Sequence, residues 1–90
     1  MTRVERIRAM LEQAFAPTRL VVEDDSARHA GHAGAASGRG HFHVEIESAA
    51  FAGRPLLERH RQVYAALGPL MQTEIHALSL QARAPGEAAR

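Results

Sequence analysis

Six histidines and no cysteine stand in 90 residues, and the placing of those histidines is the feature of this chain best suited to chemistry. His29 and His32 lie in a glycine-rich stretch, His41 and His43 at its exit, His60 between two arginines, and His76 in a short apolar segment. Imidazole nitrogen binds transition metals and changes charge near neutral pH, so an all-nitrogen metal or cluster site is the first chemistry to weigh. A chain without cysteine has no disulfide and no thiolate, which excludes redox chemistry by its own side chains.

Each histidine also has a plainer reading. A lone histidine in a strand is commonly a hydrogen-bonded structural residue, which is how His76 reads on residue type alone. His29 and His32 are three apart in a segment with no helical pattern, so the two rings need not share a face and their spacing is not a zinc motif. His41 and His43 share one face of a strand and could chelate as a pair, although alternating polar residues are also what an exposed sheet face needs. His43 therefore reads as structural or solvent-facing. His60, beside Arg59 and Arg61 on the polar edge of a helix, reads as a surface or structural residue.

The elements that would hold these side chains follow from periodicity. Thr2 and Glu5 form a capping-box pattern, and Val4, Ile7, Leu11, Ala14 and Phe15 recur at helical spacing, so a helix is expected from Thr2 to Phe15, stopped by Pro17. Arg19 to Asp25, rich in branched side chains, reads as a strand ending at Asp24-Asp25-Ser26. Residues 27–40 hold Gly31, Gly34, Gly38 and Gly40 and read as a mobile loop, long for a hairpin and of the kind that often carries function. From His41, Phe42, Val44 and Ile46 alternate with His43, Glu45 and Glu47, the pattern of a half-buried strand. Pro55 opens a second helix with an apolar stripe of Leu56, Val63, Tyr64 and Leu67, broken near Gly68-Pro69, with one further turn at Leu70-Met71. Ile75 to Ala82 reads as the last strand, with His76, Leu78 and Leu80 of one parity. A polar tail that frays from Arg83 follows. The order predicts a three-stranded sheet with helices covering one face, in one domain over residues 1–83 with 84–90 as tail.

Composition narrows the function classes. With 46% hydrophobic and 23% charged residues the chain has the balance of a folded domain and not of a disordered one. Its net charge of +1 lacks the basic excess that drives general nucleic-acid affinity, so such a role would need a local patch. No stretch has the length of a membrane span and the N-terminus opens an amphipathic segment, so the expected location is the cytoplasm.

Five segments taken together resemble the BolA family: Asp24-Asp25-Ser26-Ala27 running into His29-Ala30-Gly31-His32; Gly40-His41-Phe42; Phe51-Ala52-Gly53; Arg59-His60-Arg61-Gln62-Val63-Tyr64; and Ile75-His76-Ala77-Leu78. The resemblance runs from Val4 to Ala82, and its most specific part is Arg59-His60-Arg61 followed by Ile75-His76-Ala77-Leu78. It implies an α+β fold similar to the second type of KH domain, with a mixed three-stranded sheet and helices on one face in the order α-β-β-α-α-β. It implies partnership with a monothiol glutaredoxin, in which a [2Fe-2S] cluster is held jointly: the glutaredoxin brings a cysteine and glutathione, and the BolA-like chain brings the remaining ligands. By position the last-strand ligand is His76. The second comes from the loop between the first two strands, where His29 stands; His41 is a further candidate and His32 an alternative. The family is also linked to iron regulation and, in bacteria, to transcription.

Imidazoles in place of thiolates make a [2Fe-2S] centre less negative and raise its potential. They ligate only when neutral, so assembly is expected to weaken as pH falls through the histidine range, near about 6.5 for an unperturbed group.

Two other functions compete. A KH-like fold clamps nucleic-acid backbone with a Gly-x-x-Gly loop; the matching turn here, Gly53-Arg54-Pro55-Leu56, lacks the second glycine. DNA contact through Arg54, Arg59 and Arg61 would remain, since arginine grips phosphate and reads guanine. A hydrolase reading of Ser26 with Asp24, Asp25 and His29 is weaker, because short polar side chains at a strand end are ordinary turn chemistry. The sequence thus predicts a non-enzymatic adaptor, monomeric or weakly dimeric alone, that works through a protein partner and takes no small-molecule substrate; the alternative is a DNA-binding transcriptional regulator.

Overall fold

A computed structural model describes residues 1–26 and 38–87. The elements are α1 (Arg3–Phe15), β1 (Arg19–Asp24), β2 (Gly40–Glu47), one 3₁₀ turn (Ala49–Phe51), α2 (Leu56–Leu67), α3 (Leu70–Thr73) and β3 (Ile75–Arg83). The sheet order is β1-β2-β3, with β1 antiparallel and β3 parallel to the central strand. This is the expected mixed three-stranded α+β fold.

Local chemistry accounts for the boundaries. At the start of α1 the Thr2 hydroxyl accepts from the Glu5 amide while the Glu5 carboxylate accepts from the Thr2 amide, the reciprocal capping box. The helix ends on Ala16, held at φ 44° and ψ 56°, a left-handed conformation that an L residue before proline adopts only at a cost. Ser48 is 1% exposed because it joins two elements: its hydroxyl donates to the Phe15 carbonyl at 2.7 Å and accepts from the Ala50 amide at 3.1 Å. α2 stops at Gly68, and the turn after Pro69 is α3.

The core lies between the helices and one sheet face. Ile7 and Leu11 of α1 and Val63 and Leu67 of α2 pack with Phe42, Val44 and Ile46 of β2, Phe51, Ile75 and Ala82. Burying each such large side chain is worth about 1.5–3 kcal/mol, so this one layer supplies most of the driving force available to a chain of this size.

Two expectations need correction. The stripe on α2 is buried only at Val63 and Leu67; Leu56 is 56% and Tyr64 40% exposed. Leu56 begins the helix at the mouth of a cavity, and Tyr64 sits a sixth or more of a turn round from the packed line, about 100° past Val63. Second, His76 does not share a face with Leu78 and Leu80. Gly40 pairs with Ile75 but His41 pairs with Ala77, so β3 carries one extra residue there and the alternation changes phase at His76. Of the tail expected after β3, residues 88–90 lie outside the described residues; before them Ala84 is 6% exposed, and the Glu87 amide donates to the Ala84 carbonyl at 3.1 Å across Pro85-Gly86. Proline followed by Gly86 at φ 88° is the pairing that a type II turn requires. Among the described residues no helix is long and apolar enough to cross a membrane.

Candidate functional site

The bulge between Gly40 and His41 places two imidazoles side by side. The ring centroids of His41 and His76 are 5.2 Å apart, with their planes inclined at 49°. Strand spacing explains why these two meet and His41 and His43 do not. Residues two apart on a strand are separated by about 6.6 Å, whereas neighbouring strands lie about 4.8 Å apart. His43 has other partners: its Nδ1 is 3.1 Å from the Ser79 hydroxyl and its Nε2 is 3.2 Å from a Glu45 carboxylate oxygen.

The backbone under the pair is held from both sides. From β1, the Asp25 amide donates to the His41 carbonyl at 2.8 Å, and the His41 amide donates to the Ser26 hydroxyl at 3.1 Å. Ser26 is itself oriented by its own amide, which donates to the Asp24 carboxylate at 2.8 Å. That is the turn chemistry expected of Asp24-Asp25-Ser26, and it commits the Ser26 hydroxyl to backbone. From the other side, the Gly40 amide donates to the Glu74 carbonyl at 2.9 Å, starting the parallel pairing. The Glu74 carboxylate is gripped by Arg3 at 3.3 Å and Arg6 at 2.7 Å, which fasten the root of β3 to α1. Gly40 must be glycine: a Cβ there would stand 2.7 Å from the buried Phe42 ring and 2.9 Å from the Ser26 hydroxyl.

His76 is exposed and His41 half-buried with its Nε2 turned inside, so the pair reaches the surface through His76. Arg39 lies beside it, with Nη2 3.5 Å from His76 Nδ1 and Nη1 donating to the Gln72 carbonyl at 3.3 Å. A guanidinium only donates, so this contact uses the His76 tautomer whose Nδ1 carries no proton. Among the described residues no three histidine or acidic side chains converge on one point. Two imidazoles suit one metal with two positions left for other donors, as in a histidine-ligated [2Fe-2S] centre.

His29 and His32 lie outside the described residues. Of the arginines singled out as nucleic-acid contacts, Arg54 and Arg61 are exposed on the α2 side of the molecule. Arg59 is only 12% exposed and is engaged by Glu87. His60 is half-buried on α2, away from the other histidines. Sequence reasoning did not find Arg39, Ser26 or Gly40 as parts of the site. Ser26 and Gly40 both stood in segments that carry the resemblance, Ser26 in a polar turn and Gly40 just before a strict strand pattern.

A family model described as BolA, BolA-like protein, matches residues 11–87. The chain belongs to the BolA family. The BolA chain is 44% identical over 89 residues to protein BOLA1, chloroplastic, of Arabidopsis thaliana, covering 94% of this chain and 55% of that protein. It is 43% identical over 76 residues to the DNA-binding transcriptional regulator BolA of Escherichia coli, covering 84% of this chain and 70% of that one. Among solved structures, the BolA domain of SufE1 from Arabidopsis thaliana superposes with a TM-score of 0.86 at 41% identity, over 98% of each chain. The BolA chain spans about half, 55%, of the length of the chloroplastic relative.

Proposed function

We propose that this BolA chain is an adaptor that holds a [2Fe-2S] cluster jointly with a monothiol glutaredoxin and passes it on. The observation that carries the reading is the His41–His76 pair, two imidazoles 5.2 Å apart at the surface on a backbone fixed from both neighbouring strands. A rigid, half-filled donor set suits a cluster whose other ligands arrive on a second protein. In this reading His76 and His41 supply the nitrogen ligands, and the partner's cysteine and glutathione supply the sulfur side. His29 and His32, on the segment that begins beside Ser26, are the alternative source of the second nitrogen. The cluster is cargo, and the chain's part is to orient its donors and present them; no catalytic step is assigned to it.

Visible absorption and circular dichroism of a cluster-loaded monothiol glutaredoxin with glutathione test this directly. Adding the wild-type chain should change the spectrum, and adding His76→Ala should not. A spectrum indifferent to the wild-type chain, with no complex formed, overturns the reading.

A second reading, contact with DNA, is favoured by the name of the Escherichia coli relative together with the exposed guanidinium groups of Arg54 and Arg61. With Arg59 engaged by Glu87, few phosphate contacts remain, so the expected slope of log affinity against log salt is shallow, about −2 for two neutralised phosphates. Affinity that does not fall with salt, or that survives Arg54→Gln with Arg61→Gln, removes this reading.

A further inference from the structure

Along the second half of β3, from Leu80 to Arg83, lies a cavity of about 640 Å³ whose charged and titratable lining is Arg54, Arg59, His60 and Arg83 together with Glu87. Its cations outnumber its one carboxylate. Arg59 is the most completely used of them: Nε donates to the Arg54 carbonyl at 2.8 Å, Nη1 to the Ala82 carbonyl at 3.2 Å, and Nη1 and Nη2 to the two Glu87 oxygens at 2.6 and 2.9 Å. The Ala84 amide donates to the same Glu87 carboxylate at 2.9 Å. A planar carboxylate thus lies in the fork of a guanidinium with a backbone amide beside it, the geometry by which proteins bind oxyanions.

Two other lining residues carry a buried nitrogen without a partner. His60 Nε2 and Arg83 Nη1 are buried with no hydrogen-bond partner among the described residues, and such orphaned groups cost free energy unless something fills the site. The first turn of α2, which opens at this wall, has no side-chain cap. Glu87 reaches the pocket on a short turn at the end of the described chain and not from the core.

We propose that this cavity is a binding site for the phosphate group of a small molecule, and that Glu87 occupies it as an internal competitor. With Glu87 displaced, Arg54 and Arg59 face the pocket with no opposing carboxylate in its lining, while Arg83 keeps its ion pair with Glu47 at 3.4 Å; two guanidinium charges suit a dianion better than a monocarboxylate. The volume lies in the range of small-molecule sites.

Amide and arginine Nε–H NMR spectra of the full chain, titrated with inorganic phosphate, adenosine monophosphate and glutarate, test the assignment. Phosphate or the monophosphate should shift the Ala84 amide and the Arg59 Nε–H signals. Glu87→Gln should tighten that binding by about tenfold or more, since it removes the competitor's charge and weakens its hold on Arg59. Arg54→Gln, whose side chain holds no other element, should weaken it by a similar factor. The stronger of the two phosphate probes tells free ion from ester. Three results overturn the proposal: no shift of the Ala84 or Arg59 signals in Glu87→Gln at millimolar phosphate, unchanged affinity in Arg54→Gln, or glutarate binding as tightly as phosphate.

Discussion

His76 stands beside His41 because β3 carries one residue more than β2 where Gly40 gives way to His41. Without that extra residue the alternation would send His76 to the same face as Ile75's neighbour Leu78, toward the helices. With it, Ile75 stays in the core at 1% exposure while the imidazole turns to the surface. One bulge therefore serves both the packing and the site, in keeping with the tendency of bulges to aim functional side chains.

Gly40 is the point on which that arrangement turns. Gly40→Ala should destabilise the fold by about 1–3 kcal/mol, because the new methyl meets a buried ring that cannot move aside. Denaturant unfolding should show the loss as a lower midpoint at unchanged slope, and the variant should also bind the cluster-loaded partner less well, since Ser26 and His41 shift together.

Ala16 offers a change in the other direction. Its left-handed φ of 44° costs an alanine about 1–2 kcal/mol and a glycine almost nothing. Ala16→Gly gives part of this back through the looser unfolded chain. The net expectation is stabilisation of about 0.5–1 kcal/mol, read as a rise in the thermal midpoint; an unchanged or lower midpoint contradicts the cap geometry.

The α1 capping box carries a pH signature. The Thr2 backbone amide, and then the Thr2 hydroxyl network, favour ionised Glu5 and hold its pKa below the ordinary carboxylate value. A folded pKa below the unfolded one means stability that is present above the unfolded pKa and lost as pH falls through the folded one. The wild type should therefore lose helix stability on acidification below the usual glutamate range more steeply than Glu5→Gln. Thr2→Ala should cost about 1 kcal/mol near neutral pH. Parallel acid titrations of the two proteins by far-ultraviolet circular dichroism contradict this account if they coincide.

Ser48 links α1 to the exit of β2. Ser48→Ala leaves the Phe15 carbonyl and the Ala50 amide without their buried partner and should cost about 1–3 kcal/mol. Chemical denaturation measures it, and a cost below a few tenths would mean that water replaces the hydroxyl.

Much of this was legible in the sequence where the determinant is local. Thr2 and Glu5 announce the helix they cap, the alternation from His41 to Glu47 gives both the strand and its inward face, and Gly68 ends α2. Asp24-Asp25-Ser26 also behaves as turn chemistry. What was not legible depends on partners distant in sequence. The phase change at His76 is set by pairing with Gly40 and His41, some thirty-five positions away, and no periodicity within β3 encodes it. The burial of α2 depends on where the sheet ends, which leaves Leu56 and Tyr64 outside. The anchoring of Glu87 by Arg59 is equally non-local, although Pro85-Gly86 is a turn signal in the sequence. The resemblance named His76 from its motif, while only the geometry put His41 next to it.

In the proposed reading, His41 and His76 are the two nitrogen ligands of a shared [2Fe-2S] cluster. Pulsed electron paramagnetic resonance of the reduced complex tests it most directly, using this chain labelled with ¹⁵N-histidine and an unlabelled monothiol glutaredoxin. The account predicts couplings from two histidine nitrogens, one lost in His41→Gln and the other in His76→Gln. No histidine coupling at all, or a second coupling that survives His41→Gln, contradicts it.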